Sequence, residues 1–282
     1  MAKDVYYMET KMTAQDMTTT EQLVTTRQDG HIFEIVLNRV EKRNAMNYTM
    51  MRQLEGAIDA AEKAPGVRVV LLRGEGPVFS AGIDLMGFSD MVEVFGEDWR
   101  DNLFPMTALY QGILNKFEHS RLPTILLAHG FCLGMAFELA LACDFRIAAE
   151  GTKMGLPETR IGLIPDVGGT ARLARLVGVG LAKELIMTGR TFDADYAARQ
   201  GIINHMVPAD DLEARGHALA DELAEAAPLA VSYAKRVING VIDLERGLQL
   251  EAWAQSVLIR SEDFATGAQA TMLKQKPEWK GR

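Results

Sequence analysis

The stretch PTILLAHGFCLGMAFELALACDFRIAA, residues 123–149, passes from one periodicity to another and back. Pro123 to His129 is an apolar run bounded by turn residues, the pattern of a strand covered on both faces. The segment GFCLG, residues 130–134, turns it. From Met135 to Cys143 apolar residues surround every side of a predicted helix, and Asp144 to Ala149 returns to a short strand. Strand, turn, helix and strand in so short a span predict a mixed α/β fold.

The pattern extends outward from there. Ile32, Glu34 and Val36 alternate with Phe33, Ile35 and Leu37 and predict a strand from His31 to Asn38. A helix follows from about Asn47 to Glu62, stopped by Pro65 and Gly66, and Val67 to Leu72 reads as a buried strand. Residues 86–103 have no clear period and read as loop or short helices. A helix is predicted from Pro105 to Phe117 and another from Gly169 to Leu176. Beyond Leu212 the pattern is helical throughout, at about 212–226, 228–240, 244–260 and 262–274. The expected organisation is a flexible N-terminal extension (1–22), an α/β core (23–211) and a C-terminal helical region (212–282).

Composition narrows the function classes. The 282 residues carry 30 basic and 38 acidic side chains, a net charge of −8, which argues against nucleic acid as a main partner. No apolar run is long enough to span a bilayer. The polar, Thr-rich first 22 residues fit neither a secretory signal nor a transit peptide, and Cys132 and Cys143 lie in apolar surroundings. A cytoplasmic protein with reduced, buried thiols is expected, with no metal spacing. No nucleophile elbow or P-loop is present.

Three acids carry the chemistry: Glu138 in GFCLGMAFELA, and Glu158 and Asp166 in LPETRIGLIPDVGGT. Glu138 sits among apolar neighbours at helical spacing, where desolvation raises a carboxyl toward the range of proton exchange at neutral pH. Gly134 precedes its helix, so the Met135 N–H is an unpaired first-turn donor at the positive end of the macrodipole. A structural reading, a buried and hydrogen-bonded Glu138, stands beside this one. In FSAGIDL, residues 79–85, small residues after a buried strand allow the Ile83 N–H to face a cleft, or simply make a tight turn. Pro157 and Pro165 stiffen the backbone before Glu158 and Asp166. Asp166, or Thr170, is also a candidate cap for the following helix.

Together LNRVEKRNAM (37–46), FSAGIDL, GFCLGMAFELALACDFRIA (130–148) and ETRIGLIPDVGGTARL (158–173) resemble the crotonase, or enoyl-CoA hydratase/isomerase, superfamily. The likeness covers the chain after residue 22, to EDFATGAQATMLKQKP (262–277). It implies a spiral of ββα units with a helical C-terminal oligomerisation region, assembled as a homotrimer or homohexamer. The implied substrate is an unsaturated acyl-CoA thioester, as in fatty acid β-oxidation, with no separate cofactor.

By the same resemblance the thioester oxygen lies between the N–H groups of Ile83 and Met135. The CoA and substrate positions correspond to Lys42, Arg43, Ala45, Ser80, Ala81, Gly82, Asp84, Leu85 and Gly134, with Lys274 directed at CoA phosphates. Glu138 and Glu158 match the two glutamates of hydratases. Asp166 departs from hydratases and is similar to the carboxylate of dienoyl-CoA isomerases, a branch that has Asp where this chain has Glu138. Val40 stands in place of a usual Pro, and Thr271 in place of a Phe near the acyl chain. The implied activity is hydration or a double-bond shift; a 3,5-2,4-dienoyl-CoA isomerase using Glu158 and Asp166, or a non-catalytic acyl-CoA binder, are the alternatives.

Overall fold

The computed structural model describes residues 21–86, 90–99, 101–241 and 244–282. Nearly all of the expected N-terminal extension therefore lies outside the described residues. The chain opens with β1 (Val24–Asp29), β2 (Ile32–Leu37) and α1 (Tyr48–Lys63), then β3 (Val69–Gly74), α2 (Asp90–Phe95) and α3 (Phe104–His119). The central segment gives β4 (Thr124–Ala128), β5 (Phe131–Leu133), α4 (Met135–Ala142), β6 (Phe145–Ala149) and β7 (Lys153–Gly155). There follow α5 (Gly169–Thr188), β8 (Phe192–Asp193), α6 (Ala194–Arg199) and β9 (His205–Val207). Four helices end the chain: α7 (Leu212–Ala224), α8 (Pro228–Gly240), α9 (Leu244–Leu258) and α10 (Glu262–Leu273).

The main sheet has the order β1-β2-β3-β4-β6-β9, antiparallel at β1–β2 and parallel elsewhere. Its inner strands are apolar on both faces because both are covered. Val70, Leu72 and Leu126 join a core with α1, α3 and α4, while Val69, Leu71, Ile125, Leu127 and Ile147 pack under Leu212, Leu219 and Ala220 of α7. The segment after residue 211 thus begins as the second cover of the sheet. Each fully buried Leu or Ile here contributes roughly 1.5–3 kcal/mol. Helix α1 is started by Asn47, whose side chain accepts from the Met50 N–H at 3.0 Å. It turns Met50, Met51, Leu54, Ile58 and Ala61 inward at the 3.6-residue period.

The small sheet β5-β7-β8 stands beside the main one. Its strands of two or three residues are too short to show a period, and β1 is an edge strand with mostly exposed polar side chains. Helix α5 outruns its predicted end because the chain kinks at Gly178 (φ 80°, ψ 161°) and resumes the helix. Cys132 and Cys143 are free and buried, and burial pushes both thiols up. Among the described residues, no helix is long and apolar enough to cross a membrane.

Candidate active site

The turn after β3 is tied down on two sides. The Met46 N–H donates to the Gly82 carbonyl at 2.8 Å and the Asp84 N–H to the Met46 carbonyl at 2.9 Å. In such a parallel bridge the N–H and C=O of the intervening Ile83 face the opposite way. On the other side Ser80 bridges Cys132 of β5, donating to Phe131 O at 2.9 Å and accepting from Leu133 N at 3.3 Å. Gly82 has φ 95°, and a Cβ there would stand 2.5 Å from Leu133 O and 3.5 Å from Met135 N. Only glycine allows that approach. The turn that carries Ile83 is thereby packed against the start of α4 at Met135, and among the described residues neither the Ile83 nor the Met135 N–H donates to a protein acceptor.

Residues 39–46 hold this turn from behind. Asn44 is fully buried, and its Nδ2 donates to the carbonyls of Glu75, Val78 and Phe79 at 2.9–3.1 Å. The Ser80 hydroxyl donates to Asn44 O at 2.7 Å and accepts from Gly82 N at 3.1 Å. Arg39 Nη1 donates to Asp84 Oδ2 at 2.6 Å and to Ala45 O at 2.9 Å, so the Asp84 carboxylate is engaged within the fold. The Ala81 N–H donates to Arg43 O at 3.0 Å. Lys42 and Arg43 are exposed at the outer edge, Arg43 in left-handed backbone.

Glu138 and Glu158 converge beside these donors. Glu138 lies on the first turn of α4, 2% exposed, and its Oε2 accepts from Val167 N at 3.0 Å and Gly169 N at 2.6 Å. With Gly168 at φ 111°, the two N–H groups form a concave nest at the positive end of α5. A Cβ on Gly169 would strike Glu138 Cγ at 2.6 Å. Both bonds go to one oxygen; among the described residues none goes to Oε1. Burial raises the Glu138 carboxyl, the Gly169 N–H opposes it, Glu158 and Asp166 raise it further, and it is pushed up to about 8.

Glu158 lies in the 3-10 turn Pro157–Ile161, and its Oε1 stands 3.0 Å from where a Gly134 Cβ would be. Its carboxyl therefore packs on the residue that opens α4. Oε2 is buried without a hydrogen-bond partner. Burial raises this carboxyl, its own N–H opposes that, and Asp166 adds to the rise.

Asp166 does not cap α5. Its Oδ2 accepts from the Thr107 hydroxyl of α3 at 2.8 Å, and its carbonyl accepts from Gln111 Nε2 at 2.6 Å. Gly168 is the N-cap residue, without a side-chain bond, and the Thr170 hydroxyl turns back to Pro165 O at 2.9 Å. Thr107 and Gln111 gave no signal in the sequence, since both contacts cross more than 50 positions. On the segments that carry Ile83, Thr107 and Asp166, Leu85, Met86, Phe104, Leu163 and Ile164 are exposed. Lys274 closes α10 in left-handed backbone, and the tail beyond it is tied to Glu225 by Trp279 Nε1 at 2.7 Å. No described hydrogen bond or ion pair joins that tail to the three acids.

Paired carboxyls near two backbone N–H groups that have no protein acceptor suit proton transfer next to a polarised carbonyl. The chain matches the enoyl-CoA hydratase/isomerase family over residues 27–282. A probable mitochondrial enoyl-CoA hydratase of Arabidopsis thaliana is 36% identical, covering 90% of this chain and 83% of the relative. An enoyl-CoA isomerase/hydratase of Mycosarcoma maydis is 35% identical, covering 89% and 93%. The solved enoyl-CoA hydratase of Bacillus anthracis has the same fold, with a TM-score of 0.85 at 36% identity, covering 93% of this chain and 100% of that one. Site, fold and sequence lead to one conclusion: this chain is an enzyme of the enoyl-CoA hydratase/isomerase family, with the crotonase fold.

Proposed function

We propose that this enzyme adds water across the double bond of a 2-enoyl-CoA thioester. The observation that carries the reading is the pair Glu138 and Glu158 beside the Ile83 and Met135 N–H groups. The two N–H groups bind the thioester oxygen and stabilise the enolate that forms as water attacks the β-carbon. One carboxylate takes the proton that water loses, and one carboxyl delivers a proton to the α-carbon. Burial keeps the proton on Glu138 at neutral pH, so Glu138 is assigned as the proton donor to the α-carbon and Glu158 as the group that takes the proton from water.

Exposed Lys42 and Arg43 suit CoA phosphates, and the apolar rim of Leu85, Phe104 and Ile164 suits the acyl chain. A place for Lys274 on those phosphates needs a neighbouring subunit or a moved tail. Self-association as a trimer or hexamer belongs to the same proposal, and light scattering of the purified protein tests it. Exposed Val179, Met187 and Ile238 are apolar surface that such an assembly would cover.

A second reading uses Glu158 and Asp166 to shift double bonds of a 3,5-dienoyl-CoA; it is favoured by the acid at position 166, eight residues after Glu158 and held by Thr107 instead of capping α5. Turnover of crotonyl-CoA and of a 3,5-dienoyl-CoA separates the two. Hydration retained in Asp166→Asn and lost in Glu138→Gln and Glu158→Gln is the expected result. No hydration by the parent enzyme, with isomerisation abolished by Asp166→Asn, would replace the first reading with the second. Thioester binding without either turnover would leave a non-catalytic binder.

A further inference from the structure

Behind the nest that holds Glu138 stands a buried cation with every arm engaged. Arg172, on the first turn of α5, donates through Nη1 to the Val167 carbonyl at 3.0 Å, through Nε to Glu118 at 2.7 Å and through Nη2 to Asn115 Oδ1 at 2.5 Å. Its side chain is 9% exposed and that of Glu118 13%. The guanidinium fills the space beside Gly168, where a Cβ would lie 2.0 Å from Nη1. Glu118 stays anionic there: burial would raise its carboxyl, but Arg172, helped by Arg175, holds it below the usual range.

We propose that Arg172 is a positioning residue for Glu138: anchored on α3 by Glu118 and Asn115, it grips the Val167 carbonyl and keeps the Val167 and Gly169 N–H groups trained on Glu138 Oε2. Val167 is gripped on its carbonyl side by Arg172 and gives its N–H to Glu138, so the loop cannot rotate away without breaking one bond or the other. The chain of contacts runs from α3 through Arg172 and Val167 to the carboxyl on α4. A guanidinium is required because its planar fork serves three acceptors at once; an ammonium on a flexible stem does not hold that geometry. The charged groups facing Glu138 itself are Glu158, from the 157–161 turn, and Asp166, from the loop before α5. Arg172 and Glu118 stand behind Val167.

The catalytic part of this inference rests on the hydratase reading; the structural part does not. The test therefore has two readouts on the purified enzyme, applied to the parent, Arg172→Lys, Asn115→Ala and Arg175→Ala. Carboxyl 13C titration, with Glu138→Gln identifying the Glu138 signal, follows protonation without substrate. The pH profile of crotonyl-CoA hydration follows catalysis. In Arg172→Lys and Asn115→Ala the N–H groups leave the anion less well held, so the Glu138 titration moves to higher pH. The basic limb of the kcat profile moves with it, and kcat falls by up to about 100-fold, the scale of a small misplacement of a reacting group. Arg175→Ala removes the other cation on Glu118 without touching Val167 and keeps the parent profile. An unmoved or lowered Glu138 titration in the first two variants, or an equal shift in Arg175→Ala, overturns the proposal. A parent enzyme inactive on crotonyl-CoA defeats the hydratase reading and leaves the titration to decide the role of Arg172.

Discussion

Replacing Glu138 by Gln removes an ionisation and keeps an acceptor. The Val167 and Gly169 N–H groups that bind Oε2 at 3.0 and 2.6 Å find a carboxamide oxygen in the same place. In the parent protein the carboxyl is raised from its ordinary 4.5 to about 8, chiefly by burial. Between those values the folded state holds a proton that the unfolded state has released. The stabilisation is therefore complete below about pH 4.5, declines as pH rises, and is gone above about 8. At about 1.36 kcal/mol per pH unit the whole decline is about 5 kcal/mol. Water entry around the anion relieves part of it, leaving roughly 2–5 kcal/mol to be measured. Urea unfolding near pH 5 should give the two proteins similar stability, and near pH 9 the variant should be the more stable by that amount. Its kcat should fall by about 10²–10⁴ near neutral pH, the usual share of a general acid or base, and by less above pH 8, where the parent loses its own proton. Parallel pH–stability curves for the two proteins would refute the claim that this carboxyl is held protonated by burial.

Other perturbations test other parts of the frame. Gly82→Ala forces a methyl to 2.5 Å from Leu133 O at a φ of 95°, and it re-aims the Ile83 N–H; kcat should drop by about 10²–10³ with CoA thioester binding retained, as loss of one oxyanion donor does. Lys235→Met strips the cation from Asp144, which Lys235 Nζ meets at 2.7 Å with both side chains largely buried. Thermal or urea unfolding should register a loss of about 3–5 kcal/mol, partly recovered when Asp144→Asn is added. The pH dependence of kcat/KM should fall off on the basic side near 8, where Glu138 loses its proton, and Glu138→Gln should remove that limb from whatever activity remains.

Much of this was legible in the sequence, for reasons that differ from element to element. The strands Val69–Gly74 and Thr124–Ala128 are readable because both faces are buried, and α1 because one face is. Met135 is marked locally by the helix start after Gly134, whereas the glycine turn at Ile83 left a plain tight turn open, and the pairing of the two came from the family resemblance. The partners of the acids are a different matter. Asp166 with Thr107, and Glu138 with Gly169, are joined only by tertiary packing, so a helix cap was as good a local account of Asp166 as any other. The Gly168–Gly169 doublet is uninformative as a motif because the anion it holds is the chain's own. The small strands Lys153–Gly155 and Phe192–Asp193 are defined by pairing alone.

The bridge between Ser80 and Cys132 joins the two sheets next to the Ile83 and Met135 N–H groups proposed to bind the thioester oxygen. One proposed donor lies beyond β3 of the main sheet and the other beyond β5 of the small one, so a fragment containing a single sheet would carry only one of them. On that reading catalytic competence is a property of the completed tertiary structure, because both sheets must be docked for the two N–H groups to stand together. Turnover thus gauges intactness: during denaturation it should vanish no later than the cooperative loss of the fold, and no partly folded form should retain it.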